Sequence, residues 1–401
     1  MPVWLDAIPD EAPKVIRPAL HRWLILLVVI LVTVIIAGVW FWQGPREGIV
    51  FWLTLTGLPL CFWGLLFCLR RFAYKTEQVG AESWNRERKS LLERETRRGQ
   101  QPAWILGSRI EMCAGQDAES IRDTISRAVP VIEALRQPGH AAPVYYAALP
   151  YADAMNISQQ NDVIELITSG ITDTLAPLRE DLSCWLQIDS NLPAQPETSM
   201  AIVRQLETQS GRVFSRISLT GMAGMDHWLD RATESPSVLV SIAIHLPENR
   251  KEGGADAITA QVLANRPSDH YPDAVMLHRP EQGSTDNLNG TLKRALLWAD
   301  VSAEQLNGAW MTGQAITQGA AWNTALESCG ATFSLTDALI TPDHAAGYAG
   351  VAAPWAVIAL AQSSLSSGES LAIASQSPDE DAIWVAVVKR IKEEKGSTGN
   401  V

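Results

Sequence analysis

The chain has 401 residues, of which 47% are hydrophobic and only 19% charged, and it carries 15 Trp. Its formal charge of −12 argues against a nucleic-acid partner, because a phosphate backbone calls for a basic surface. The 5 Cys have no paired C-x-x-C spacing, which argues against structural zinc and a disulfide framework; scattered thiols fit a reducing compartment.

Residues 1–22 form a short N-terminal segment ahead of two apolar runs, Trp23 to Trp42 and Gly48 to Leu69, neither with a charged residue. Each run matches the roughly 20 residues that a helix needs to cross the hydrocarbon core. The turn Gln43–Glu47 is too short for anything but antiparallel neighbours, so 23–69 reads as a transmembrane hairpin. Trp40, Phe51, Trp42 and Trp52 sit near the turn, where an aromatic belt is expected, and Pro59 is placed to kink the second helix. Lys14, Arg17 and Arg22 precede the hairpin, and Arg70, Arg71 and Lys75 follow it. By the positive-inside rule this puts both termini and the soluble body in the cytoplasm of a bacterium, at the inner membrane. A cleaved signal peptide does not fit a run this long that is followed at once by another.

Residues 70–102 read as a charged juxtamembrane segment, helical from about 75 to 100. Pairs such as Glu93 and Arg97 suit an exposed helix face, and the basic excess near the bilayer favours anionic headgroups. Beyond Pro102 the pattern alternates strands and helices, the mark of an α/β body. Strands are predicted at Trp104–Gly107, Val144–Leu149, Cys184–Ile188, Arg212–Leu219 and Ser237–Leu246. Helices are predicted at Ala118–Arg136 (stopped by Pro138-Gly139), Asp162–Leu178, Met200–Ser210 and Met225–Ala232. The second half, 251–390, continues in the same style. It has a strand at Ala257–Asn265, a helix at Leu288–Asp300, a strand from Gly308 to Met311 and a helix at Ala320–Glu327. An Ala-rich helix at Ala352–Leu365 and a closing hairpin, Leu371–Ser375 with Ala382–Val388, follow. No short internal repeat is visible, and the tail 391–401 reads as frayed.

Familiar chemistry is hard to place. His227 beside Asp226 is a weak candidate for a general base. The 7 His never take metalloprotease spacing. Gly221-Met-Ala-Gly224 lacks the Lys-Ser/Thr of a phosphate loop, and Ser190 and Ser241 have no G-x-S-x-G frame. Asp379-Glu-Asp381 offers too few ligands for calcium. No metal and no cofactor are predicted. Trp185, Trp228, Trp298, Trp310, Trp322, Trp355 and Trp384 are divided between core and a partner-binding face, which the sequence alone does not separate.

One resemblance stands out in the last third. His344-Ala-Ala-Gly347-Tyr-Ala-Gly350 and the Ala-rich helix after it resemble a motif of the β-ketoacyl synthases. Ala309-Trp-Met-Thr-Gly313 is similar to the segment that carries their other catalytic His, Glu252-Gly-Gly-Ala-Asp256 to their Gly-rich turn, and Leu371–Val388 to their terminal strands. The resemblance implies a thiolase-like layered α/β/α/β/α domain, with 103–250 and 251–390 as its halves, and a homodimer joined through the central sheet. It also implies what is missing. Trp310 stands where the first His belongs, Leu339 where a Lys belongs, and no Cys lies in a nucleophile turn between Arg212 and His245. Only His344 survives, and one His does not run a condensation that needs a thiolate and two polar partners. The expectation is therefore a non-catalytic adaptor. The anchor, the basic helix and the α/β body are similar to accessory and adapter proteins of type VI secretion systems, so secretion-apparatus or other membrane proteins are the expected partners. Trp310, Arg70 and Arg71 are the interaction candidates. The alternatives are an acyl- or lipid-processing enzyme using His344, and an immunity or regulatory protein that sequesters a toxin through an acidic patch.

Overall fold

The computed structural model describes residues 5–44, 48–137, 142–150, 157–192, 195–232, 235–377 and 382–392. The Pro138-Gly139 stop, Asp379–Asp381, nearly all of the tail and the tip of the hairpin turn lie outside them. The chain forms two units, Trp4–Glu95 and a body from Thr96 onward.

The first unit is a helical hairpin. It comprises α1 (Leu20–Phe41), α2 (Ile49–Trp52), a wide π turn at Leu53–Gly57, and α3 (Leu58–Gly99). The predicted disturbance at Pro59 takes the form of that turn: Leu58 N–H reaches back five residues to Leu53 O. Proline has no N–H to offer the preceding turn, and a π bulge absorbs the mismatch. Trp63 Nε1 donates to Trp23 O at 2.8 Å, and Phe67 stacks on Trp63 with centroids 5.2 Å apart. Leu55 occupies the place a Cβ would take on Gly38, 2.7 Å away, so the glycine allows close approach of the two helices. Beyond the apolar runs, Arg88 Nε donates to Pro9 O (2.6 Å) and Ala12 N to Asn85 Oδ1 (2.8 Å). The N-terminal segment therefore lies along the charged end of α3, and both are at the same end of the hairpin. The charged stretch is no separate helix; α3 runs on through 69 and 70 without a break. Both helical runs are long and apolar enough to cross a membrane, and no residue of α1 is buried, unlike the core helix of a soluble protein.

The body begins with β1 (Ala103–Met112), α4 (Ala118–Ser126), β2 (Glu133–Leu135), β3 (Val144–Ala147) and α5 (Ile157–Leu175). Next come β4 (Ser183–Ser190), α6 (Gln195–Ser210), β5 (Phe214–Arg216), α7 (Gly221–Arg231), β6 (Ser237–His245), β7 (Gly254–Ala255) and β8 (Ala257–Ala264). The second half holds β9 (Val275–Leu277), β10 (Glu281–Gly283), α8 (Leu288–Ala299), β11 (Gly308–Thr312), α9 (Gln314–Thr317) and α10 (Ala321–Cys329). It closes with β12 (Leu339–Ile340), α11 (Asp343–Ala346), α12 (Ala353–Ser364), β13 (Ser370–Gln376) and β14 (Ile383–Lys389). The helix predicted over Ala118–Arg136 ends at Ser126. Ala128 takes a left-handed φ of 51°, and Pro130 disfavours helix at Val129.

The strand order is β5-β4-β6-β8-β1 in the first half and β12-β11-β13-β14-β9 in the second. Taken by sequence within each half, both orders run third, second, fourth, fifth, first. In both, the fifth strand is antiparallel to its neighbours while the others before it pair in parallel. The body is thus an architectural duplication, invisible as a repeat in the sequence. β8 belongs to the first sheet, past the 250/251 division expected from the sequence. The sheets meet where Ala103, Trp104 and Ile105 of β1 pair with Leu277, Met276 and Val275 of β9.

Alternation along the strands sorts side chains into layers. Leu239 and Ala243 of β6, and Leu371 and Ile373 of β13, join α7 and α12 in one central cluster. Val238, Val240 and Ile242 turn the other way, onto α5 and α6. Ala372 and Ala374 turn onto α8 and α10. The result is helix, sheet, helix, sheet, helix: the thiolase-like arrangement. α12 is buried on every side from Ala353 to Ala361, which explains why its sequence is apolar all round rather than amphipathic.

Leu360 is fully buried in that central layer, whereas Leu297 is 40% exposed. Leu360→Ala is expected to cost about 2–5 kcal/mol through the cavity it leaves, and Leu297→Ala less than about 1 kcal/mol. Urea unfolding followed by tryptophan fluorescence checks both.

Candidate functional site

Of the positions singled out by the resemblance, those on β11, β12 and α11 are neighbours. β11 and β12 pair in parallel, with Ala309 opposite Leu339 and Trp310 opposite Ile340. α11 follows directly and carries His344. The loop entering α7 carries Thr220-Gly221.

Trp310 is 1% exposed and belongs to the same cluster as Met222, Met225, Ala346 and Ala349. As an interaction candidate it is corrected: a side chain this buried meets no partner, and its indole fills interior space instead. His344 is exposed on α11, and among the described residues it makes no hydrogen bond or ion pair. Its neighbour Asp343 points inward. Asp343 Oδ1 accepts from Thr312 Oγ1 and its Oδ2 from Gly313 N, both at 2.7 Å, so it latches the end of β11. Gly313 has a φ of 105° and lies against Gln376, whose Oε1 accepts from Ala315 N at 2.9 Å. Burial pushes the Asp343 carboxyl up to about 6, against the pull of those hydrogen bonds.

The loop into α7 is held by a second buried pair. Asp189 Oδ2 accepts from Gly221 N (2.8 Å) and Gln187 Nε2 (2.8 Å), and Gln187 Nε2 also donates to Gly221 O (2.9 Å). Asp189 is 3% exposed, and burial raises its carboxyl to about 6. Gly221 takes a left-handed φ of 56°. A sharp turn into α7 is thus present, and it carries no Cys. The body's thiols stand elsewhere. Burial raises the pKa of Cys113, Cys184 and Cys329, which lowers the thiolate fraction a nucleophile depends on.

The two glycines of the His344–Gly350 motif have packing roles. A Cβ on Gly347 would sit 2.7 Å from Gly254 O, and one on Gly350 2.0 Å from the His245 ring. His245 itself, not foreseen from the sequence, is held by Asn191: Nδ2 of Asn191 lies 3.0 Å from Nδ1, while Asn191 Oδ1 accepts from Leu246 N. Burial, with a smaller contribution from Lys251, depresses its pKa to about 4. The imidazole is therefore neutral near pH 7, its Nδ1 accepting from the Asn191 amide. Asp226, beside His227, pairs with Arg279 at 2.8 Å, as does Asp230. Five body tryptophans, Trp228, Trp298, Trp310, Trp322 and Trp355, are buried, and Trp104, Trp185 and Trp384 are half-buried. Arg70 and Arg71 are exposed on α3. Among the described residues no three His, Cys, Asp or Glu side chains converge as a metal site.

The body thus has a thiolase-like fold of the kind seen in ketosynthases. Solved structures similar to it include the PfaC keto synthase–chain length factor, with a TM-score of 0.52 at 12% identity over 73% of this chain and 43% of that one. The ishigamide ketosynthase/chain length factor gives 0.51 at 12% identity over 72% and 99%. The ketosynthase from module 6 of the bacillaene synthase from Bacillus subtilis 168 gives 0.54 at 8% identity over 73% and 72%. This chain thus spans less than half the length of the first of these. No protein-family model and no curated protein matches the sequence. At such identities the likeness is one of fold.

Gly350→Ala forces a side chain into the imidazole of His245 at a left-handed φ and is expected to destabilise the body by about 2–4 kcal/mol, read from the urea midpoint. Asp189 gives a pH signature. Its folded pKa lies above the unfolded value of 3.8, so its stability contribution is complete below about pH 4 and is lost as pH rises through about 6. The loss is on the order of 3 kcal/mol. Asp343 acts in the same direction. Asp189→Asn is expected to flatten this fall between pH 4 and 7 in a series of urea titrations.

Proposed function

We propose that this chain is a non-catalytic scaffold of ketosynthase-like fold, anchored by its hairpin in the inner membrane of a bacterium, with both termini and the body in the cytoplasm. The observation that carries the reading is Trp310. It fills the interior at the position where the resemblance puts a catalytic His, and no Cys lies between Arg212 and His245 to accept an acyl group. A condensing enzyme needs an open apolar pocket and a second polar group within reach of its His, and His344 faces solvent instead. The basic residues flanking the hairpin support the orientation. The body acts as a homodimer, a reading favoured by the open edge of β5, which pairs with β4 on one side. Its partners are other membrane proteins, and the combination of anchor, charged helix and α/β body favours subunits of a secretion apparatus of type VI.

Two measurements test this. Intact-mass analysis after incubation with an acyl-pantetheine thioester is expected to show no adduct. An adduct that disappears in one of Cys113→Ala, Cys184→Ala or Cys329→Ala would establish an acyl-transfer enzyme instead. In intact cells, a membrane-impermeant maleimide is expected to label Gly48→Cys but not Arg86→Cys, in a background lacking the native thiols; the reverse pattern contradicts the orientation.

A further inference from the structure

The hairpin unit holds a cavity of about 710 Å³ at the end of its two apolar runs, lined by Arg17, Ala19, Leu20, Phe67, Arg70, Arg71, Tyr74 and Lys75 among others. We propose that this cradle binds the phosphate-bearing headgroup of an anionic phospholipid, with Arg17, Arg70 and Arg71 as its phosphate ligands. The inference rests on the membrane-anchored reading above.

The first argument is charge without compensation. Between residues 12 and 76 the only carboxylate in the sequence is Glu47, in the turn between the runs. Lys14, Arg17, Arg22, Arg70, Arg71 and Lys75 therefore flank the hairpin in a stretch whose nearest other carboxylates in sequence are Glu11 and Glu77. Arg17, Arg70 and Arg71 have no hydrogen bond or ion pair among the described residues. Three unpaired guanidiniums from two chain segments facing one cavity repel each other, and an anion relieves that repulsion.

The second argument is local chemistry. Guanidinium forks match the paired oxygens of a phosphate. The N-terminus of α1, 22 residues long, opens into the cavity at Leu20, and Ala19 gives it no side-chain cap. Its free N–H groups and dipole favour an anion at this position. Lys75 is already committed to Gln78 Oε1 at 3.0 Å and lies 5.9 Å from the centre of the Tyr74 ring, so it serves as a wall. Leu20 and Phe67 supply an apolar side where acyl chains would leave. Position favours a lipid over a soluble ion: the cavity sits where both apolar runs end, at the depth of headgroups, and basic pockets between membrane helices are suited to such groups.

The test uses the full-length protein in detergent and native mass spectrometry, with short-chain phosphatidylglycerol or cardiolipin as probe and phosphatidylcholine as the neutral control. Retention of the anionic lipid is expected, and Arg17→Gln/Arg70→Gln/Arg71→Gln is expected to weaken it at least tenfold. Arg70→Lys/Arg71→Lys, which keeps the charge and loses the fork, is expected to weaken it less. Arg86→Gln/Arg94→Gln, farther along α3, is expected to leave it unchanged. Equal retention by the triple variant would overturn the site, as would displacement of the lipid by millimolar inorganic phosphate, which would mark a free-phosphate site. The membrane reading is judged separately. Wild type that fails to sediment with membranes sinks that reading, whereas protein that inserts but binds lipid indifferently sinks only the cradle.

Discussion

Helix α12 has no solvent face. It touches β13 and β11 of one sheet and β8 and β1 of the other, with α4 and α7 along its length. Everything in the body is arranged around this constraint. An apolar helix with small residues on all sides must be enclosed, and two sheets of the same strand order enclose it. The duplication follows as a solution to that burial problem, since each half turns one face of its sheet inward and the other onto its own outer helices. The join between β1 and β9 makes the two halves one hydrogen-bonded unit.

The same packing accounts for the residues that looked like remnants of chemistry. Gly347 and Gly350 permit the approach of the chain to Gly254 and His245, and Asp343 secures the end of β11. Asp189 and Gln187 secure the turn into α7. Each of these fixes a backbone segment that the fold needs, whether or not a reaction takes place there. The scaffold reading thus requires only that the fold be kept after the reactive side chains are gone, and a fold is compatible with many functions. Buried carboxylates with raised pKa values often mark active sites. Here both oxygens of Asp343 and Oδ2 of Asp189 are taken up by backbone and side-chain donors of the loops they hold.

Most of the elements were legible in the sequence, because their signals are local. The strands β4, β6, β8, β13 and β14 are dense β-branched or apolar runs, α8 is amphipathic and α12 is apolar throughout most of its length. The hairpin was legible from hydropathy alone. Elements of two to four residues, such as β9, β12 and α11, were not, because they exist only through pairing with distant partners. α4 ends ten residues short of the expected Arg136, although Pro130 is a local signal for that end. The duplication was hidden because it lives in strand order rather than in side chains. The site was half legible. Trp310 and Leu339, standing where the resemblance expects a His and a Lys, were readable, as was the lack of a Cys between Arg212 and His245. The inward turn of Asp343 and outward turn of His344 were not, since adjacent residues on one helical turn differ only by the angle at which α11 meets β11. The role of His245 had no sequence signal beyond its place at the end of a buried strand.

The most direct test of the scaffold reading is affinity purification of the full-length protein from detergent-solubilised native membranes, with quantitative mass spectrometry of proteins and lipids together. The account predicts a membrane-protein partner recovered in stoichiometric amount and a body free of acyl ligand. Recovery of the chain alone, carrying an acyl group or acyl ligand in the body, would contradict it.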